Sequence, residues 1–312
     1  MDSHCIFAQG MRRAGTTILF DLMLEDAQCT CFYEPLAQGK PTLGGGSGVH
    51  SDRDLFCNVR EQRELFLANH PEWLIRCPDF RERNLLNHGA PRLPELEFEP
   101  ALPPYCRDYI IQLTKADRKT FLKFTRMHSK VDCLREINPH AKFIHIVRDP
   151  RHVTASYMFG KNARFKDEFK DVDHFFERVS NYTAWASRPF SENLLQSPEY
   201  KNLGTCQDFL RILIIWKFKF LRTHFAGKRC FGDSYYLLRH EDLLQNPEST
   251  LRSLGEFINS PFKESTFEWA TNTLKQPTPP FAGADARWHE AFDRINIKEA
   301  LSEAGYWPRN VG

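Results

Sequence analysis

Short, continuous apolar runs alternate along the chain with stretches of helical periodicity, and that rhythm predicts an α/β fold. Cys5-Ile6-Phe7-Ala8 reads as a buried strand. A glycine-containing loop follows, and then an apolar helix from Thr17 to about Leu24. Strand, loop and helix in this order usually open a parallel sheet. A further strand is expected between that helix and Glu34, and others at Thr120–Phe124, Lys142–Val147 and Tyr235–Arg239. Lys142–Val147 is an apolar run of the kind covered on both faces. Apolar residues at helical spacing from Gln207 to Phe225 predict a core helix. Asn246-Pro247 should open a helix to about Phe257, with proline in the first turn, where its missing N–H is no loss.

Two stretches break the rhythm. Gly44-Gly45-Gly46-Ser47-Gly48 is too glycine-rich for regular structure. Pro91, Pro94, Pro100, Pro103 and Pro104 exclude a regular helix over 88–105. Segments at about 38–50 and 86–106 are therefore expected to be loops, either ordinary surface connections or lids over a site; with the aromatic- and polar-rich 160–205 they are the candidate lid or acceptor loops of a single domain spanning 1–312. A chain of 312 residues is long enough to bury a sizeable core. Forty-two basic against forty acidic residues leave a net charge of +2, which argues against nucleic acid or an acidic membrane as the main partner. Any cationic site for an anion must therefore be local. No apolar run approaches a membrane span, and the N-terminus does not read as a signal peptide. The nine cysteines are odd in number and include no CxxC pair, and the Cys29/Cys31 spacing is poor for zinc. They point to reduced thiols and a cytoplasmic setting.

Two segments carry chemistry. The first is Gly10-Met11-Arg12-Arg13-Ala14-Gly15-Thr16-Thr17, between the first strand and its helix. Two glycines separated by four residues have the spacing of a phosphate-binding loop, whose backbone N–H groups wrap an anion at a helix N-terminus. Thr16 stands where a nucleotide triphosphatase needs lysine, so the loop suits a phosphate-like anion rather than Mg-ATP. The second is Val147-Arg148-Asp149-Pro150, closing a buried strand, with Ser156 eight positions after Arg148. Ligands of parallel sheets sit beyond the carboxyl ends of the strands, where Arg148 can bind a phosphate and Ser156 can add a hydrogen bond.

Together the two motifs resemble those of the PAPS-dependent sulfotransferase superfamily. Arg13-Ala14-Gly15-Thr16-Thr17 is similar to its 5′-phosphosulfate loop, and Arg148 with Ser156 to its 3′-phosphate pair. Phe32-Tyr33-Glu34-Pro35-Leu36, Arg239-His240-Glu241-Asp242-Leu243 and the stretch from Trp288 to Gly305-Tyr306 resemble segments of the carbohydrate and tyrosylprotein branches. Ala14 departs from the usual loop serine. Phe281-Ala282-Gly283 stands where cytosolic members have Arg-Lys-Gly, so Gly283 is kept and two cations are lost.

The resemblance implies a P-loop-like three-layer fold with a central parallel sheet flanked by helices. It implies an enzyme that moves the sulfuryl group of PAPS to a hydroxyl or amine and releases adenosine 3′,5′-bisphosphate (PAP), with no metal. Arg12, Arg13, Ala14, Gly15, Thr16, Thr17, Arg148, Ser156 and Gly283 would hold the donor, and Arg13 would meet the charge that grows on the leaving phosphate. Glu34 is the expected base and His128 its competitor. PAPS, PAP and an acceptor are the expected partners, with no nucleic acid and no membrane. A small-molecule kinase of the P-loop type is the alternative, disfavoured by the missing lysine; a binding protein that has lost catalysis is disfavoured by the intact Arg13, Glu34, Arg148 and Ser156.

Overall fold

The computed structural model describes residues 5–25, 29–37, 54–78, 80–81, 85, 95–115, 119–159, 171–179, 187–204, 206–276 and 278–307. The apolar runs become five strands: β1 (Cys5–Gln9), β2 (Cys29–Tyr33), β3 (Lys119–Phe124), β4 (Lys142–Val147) and β5 (Tyr235–Arg239). They form one sheet in the order β2-β3-β1-β4-β5, and every pairing is parallel. Helices flank this sheet, as the alternation of periods requires. Residues 5–8 of β1 are all buried, as befits a central strand covered on both faces.

The parallel register decides where the chemistry sits. Gln9 lies opposite Phe124 and His145, Tyr33 opposite Lys123, and Val147 opposite Arg239. Residues 10–15, Glu34, 125–129, Arg148 and His240 therefore all leave the sheet at one carboxyl edge.

The helices confirm the periodicity, with differences at their ends. The first runs Thr16–Glu25, and the Asn246-Pro247 signal opens Pro247–Phe257. The long core helix is Asp208–Phe231, extending beyond the expected Phe225 to Gly232, which takes φ 52°. The prolines did not exclude helix from 88–105. A single turn, Glu95–Phe98, fits between Pro94 and Pro100, and Pro104 sits in the first turn of Pro104–Thr114, where its ring is tolerated. Within 160–205, Val172–Glu177 is capped by Asp171, which accepts the His174 amide at 2.7 Å, and Ser187–Leu195 forms a second helix. Residues 38–53 and 160–170 lie outside the described residues.

Apolar packing is organised in two clusters. One joins β1, β3 and β4 to the Thr16–Glu25 helix through Phe7, Leu19, Phe20 and Phe121. The other joins the Pro150–Phe159 and Asp208–Phe231 helices to Trp288. Trp288 is fully buried, with Phe176 packed edge-on 5.1 Å away.

Buried imidazoles are expected to make this fold acid-sensitive. The Tyr235 hydroxyl lies 3.0 Å from His145 Nδ1 and 2.9 Å from His224 Nδ1, and His224 Nε2 lies 2.8 Å from Glu303. Burial, reinforced by His224, holds His145 down to about 3, and burial also lowers His224. A neutral buried imidazole that unfolds regains its ordinary affinity for protons. Its stabilising effect is present above about pH 6.5 and is lost as the pH falls toward the folded value. Urea unfolding at pH 5 should therefore show roughly 2 kcal/mol less stability than at pH 7 from His145 alone. An unchanged midpoint between the two would show that these histidines are not held neutral by the fold.

Candidate active site

The loop after β1 is shaped by its glycines. A Cβ at Gly10 would fall 2.6 Å from both Cγ2 and the carbonyl oxygen of Ile146. At Gly15 φ is +90°, and a Cβ would meet His240 Cδ2 at 2.2 Å. The backbone thus passes close to β4 and to the end of β5, where only glycine fits. Between the glycines, Arg13 is held at φ 71°. Such a conformation costs a non-glycine residue about 1–2 kcal/mol, so the packing around it must enforce the shape. Ala14 is buried beside Met11 and Val147, so the position that departs from the family serine serves the core.

Here the two motifs meet. Arg13 Nε donates to Ser156 Oγ at 2.7 Å, across 143 residues of chain. Arg148 Nη1 donates to the Arg13 carbonyl at 3.2 Å, and Trp216 Nε1 donates to the Arg148 carbonyl at 3.0 Å. Arg148 Nε is buried with no acceptor. Both guanidiniums are pulled below their ordinary pKa, Arg148 by burial and Arg13 by burial and the adjacent Arg12. Arginine remains charged at any physiological pH, so the site holds partly desolvated cations with unused donor capacity.

A carboxylate behind them fixes the Arg148 turn. Glu241 Oε1 accepts the Asp149 amide at 3.0 Å and Oε2 accepts the Tyr306 hydroxyl at 2.6 Å, with His152 3.5 Å away. Burial works against its charge, but these bonds hold Glu241 down to about 2. The Arg239–Leu243 segment and Tyr306 therefore buttress the site from behind. His240, against Gly15, is lowered to about 4 by burial and by Arg148.

Glu34 follows β2 directly, at φ 48°. Its amide donates to the Lys123 carbonyl at 2.9 Å. Its Oε1 accepts from Lys123 Nζ at 2.7 Å and its Oε2 from the Thr125 amide at 3.2 Å. Lys123 is 2% exposed and lies 4.0 Å over the Tyr33 ring, whose hydroxyl is 3.3 Å from Thr17 Oγ1. Burial pulls Lys123 down, but Glu34 and Tyr33 outweigh it and the ammonium is favoured. A line of contacts thus connects Thr17 of the loop to Glu34. From the sequence Lys123 could touch donor or acceptor or stand solvated, and nothing in its own segment points to the pairing with Glu34. Its signal is the β2/β3 register, which no single segment displays.

His128 is 1% exposed, set edge-on between Phe190 and Phe218 at 5.6 and 5.8 Å. Both ring nitrogens are buried without a hydrogen-bond partner. Burial, with Lys219, Lys130, Arg126 and Arg222, keeps it well below its ordinary pKa. Gly283 lines an open cleft of about 630 Å³ with Arg151, Pro280 and Asp285, and its carbonyl accepts from Arg151 Nη1 at 3.2 Å. Arg287, the other cation near the missing Arg-Lys pair, is tied to Asp285 and Asp173 at 2.7 and 2.8 Å.

Residues 5–196 match the sulfotransferase family model. The chain is 24% identical over 332 aligned positions to omega-hydroxy-beta-dihydromenaquinone-9 sulfotransferase Stf3 of Mycobacterium bovis and of Mycobacterium tuberculosis, covering 96% of this chain and 76% of each relative. Among solved structures it aligns with the sulfotransferase domain of the Synechococcus PCC 7002 olefin synthase, at 14% identity and TM-score 0.46 over 99% of this chain and 96% of that one. It also aligns with sulfotransferase STF1 of Mycobacterium tuberculosis H37Rv, at 14% identity and TM-score 0.46 over 97% and 77%. With the family model spanning more than half of the 312 residues, the chain belongs to the sulfotransferase family and is an enzyme of the PAPS-dependent superfamily.

Proposed function

We propose that residues 12–17, Arg148 and Ser156 hold PAPS at the carboxyl edge of the sheet, and that Glu34 activates a hydroxyl or amine acceptor there. The observation that carries this reading is the meeting of Arg13, Arg148 and Ser156, with a buried Arg148 Nε left for an anion. The acceptor oxygen or nitrogen attacks sulfur. The bond from sulfur to the bridging oxygen breaks, and its electron pair stays on the 5′-phosphate. Arg13 and the loop amides offset that growing charge. Glu34, a carboxylate paired with Lys123, takes the acceptor proton. The burial of His128 between two phenylalanines supports a packing role for it.

The relatives named for a hydroxylated menaquinone support a hydroxyl-bearing acceptor. Gly283 and the cleft it lines would take part of the nucleotide. The whole chain would act as one domain, with acceptor contacts from segments 95–106 and 171–204, which carry the short helices Glu95–Phe98, Val172–Glu177 and Ser187–Leu195. The nine cysteines, odd in number and without a CxxC pair, are in keeping with a reducing, cytoplasmic compartment. No helix among the described residues is long and apolar enough to cross a membrane.

PAP should raise the melting temperature, because a ligand that binds only the native state stabilises it by mass action. Arg148→Ala should weaken PAP by roughly 1–3 kcal/mol, the value of a charge-assisted contact. Absence of PAP binding by calorimetry, or equal stabilisation by ATP with magnesium, would remove this reading.

A further inference from the structure

A second cationic centre lies beside the donor loop and is unused by the chemistry above. Glu97, on the Glu95–Phe98 turn, receives Lys219 Nζ at 3.2 Å and Arg126 Nε at 3.6 Å, with all three side chains largely buried. Arg126 Nη1 is buried without an acceptor. Lys219 Nζ sits 4.5 Å over the Phe190 ring, and Phe190 stacks on Phe98 at 4.3 Å, so an aromatic wall keeps water away. Burial lowers Lys219 despite Glu97, and Arg126 and Arg12 lower it further. Lys130 and Arg222 also act on this volume through His128, while Glu99 lies beside Lys130. Lys219 and Arg126 thus share the one Glu97 carboxylate, an excess of positive charge within this cluster.

That excess is hard to explain as structure. A buried ion pair is at best near neutral for stability, and a second buried cation on the same carboxylate adds desolvation cost without a new partner. Position suggests a use for it. Thr125, which donates to Glu34, is followed directly by Arg126. Tyr157, next to Ser156, lies in the field of Arg12 and Arg13 on the loop and of Glu97 and Arg126 in the cluster. The centre therefore lies within electrostatic reach of the donor loop and next in the chain to the Glu34 partner Thr125.

Resting on the sulfotransferase reading, we propose that the acceptor carries an anionic group, a carboxylate, phosphate or sulfate, and that Arg126 and Lys219 bind it in the place Glu97 occupies in the free protein. Glu97 is then a stand-in anion that the acceptor displaces. A desolvated two-cation grip of this kind selects a charged acceptor over a neutral one of the same shape.

The test is a labelled-PAPS screen of acceptors in matched pairs. 4-Hydroxyphenylacetate is set against its amide, and glucose 6-phosphate and glucose 6-sulfate against glucose. The pairs separate a carboxylate from a phosphate or sulfate ester. We expect the charged member of at least one pair to have a kcat/KM at least 10-fold higher. Lys219→Met and, separately, Arg126→Gln should collapse that ratio toward one, while a PAP-induced rise in melting temperature shows that each variant folds. Glu97→Gln should lower KM for the charged member several-fold. If both cation variants fail to fold, inhibition of neutral-acceptor turnover in the intact enzyme by the favoured acceptor's hydroxyl-free analogue takes their place. Equal use of both members of every pair, no sulfation of any charged member while PAP binds, or a preference that survives both cation variants overturns the inference. Failure of PAP to bind is a separate result and instead overturns the donor reading.

Discussion

Glu34→Gln should reduce kcat by at least ~100-fold, the low end for loss of a general base. Glutamine keeps the size of the side chain and an acceptor for Lys123 Nζ, now 2.7 Å from Oε1, but cannot take a proton. The substitution also removes the charge partner of a buried ammonium. It should therefore lower unfolding stability by about 1–3 kcal/mol, and kcat must be expressed per folded, PAP-binding molecule. PAP affinity should change little, because Arg13, Arg148 and Ser156 are untouched. The acid limb of kcat/KM, which reports the base of the free enzyme, should disappear. Formate should restore part of the activity of Glu34→Ala by supplying a diffusible carboxylate, which a purely structural role for Glu34 does not predict. Near-normal turnover of Glu34→Gln, with His128→Ala inactive, would move the base to the buried imidazole.

The parts of this site differ in how far they were legible in the sequence, for physical reasons. The strands were readable because a strand covered on both faces must be apolar throughout, as Lys142–Val147 nearly is. The loop was readable because the spacing of Gly10 and Gly15 is itself a signal, although the close approach of Ile146 and His240 that demands glycine there is not local. Arg148 and Ser156 were readable as a pair, since a strand end and the next helix lie within one short stretch. What could not be read is set by strand order. Lys123 meets Glu34 only because β2 pairs with β3 in a register that puts Tyr33 opposite Lys123. Arg13 reaches Ser156 only because β1 and β4 are neighbours. The Glu97 centre was hidden for another reason. The prolines around it suggested irregular chain, although a single helical turn fits between them. The Arg239–Leu243 resemblance was legible, but its role was not. Glu241 and His240 shape the cradle from behind, which emerges once β5 is seen beside β4.

Gly15→Ala should abolish measurable PAP stabilisation while leaving a folded protein. Two costs combine at this residue. Its φ of +90° lies outside the range an L-residue adopts comfortably, a penalty of about 1–2 kcal/mol. The new Cβ would also meet His240 Cδ2 at 2.2 Å, and no real pair of carbons sits so close. His240 is 5% exposed and flanked by Glu241, which bonds Asp149 and Tyr306, so the ring has little room to retreat. The loop is the more yielding partner. Its movement carries away Arg13, whose carbonyl anchors Arg148 and whose Nε bonds Ser156, so all three proposed donor contacts shift together. A loss of at least ~100-fold in PAP affinity, about 3 kcal/mol, is expected. The two costs are separable. Gly15→Ala with His240→Ala removes the collision and keeps the backbone penalty, so PAP binding should return in part, to within roughly tenfold of the parent. Wild-type affinity in Gly15→Ala alone would mean that the loop does not need this close approach to hold the donor. No recovery in the double variant would place the whole effect in the backbone conformation.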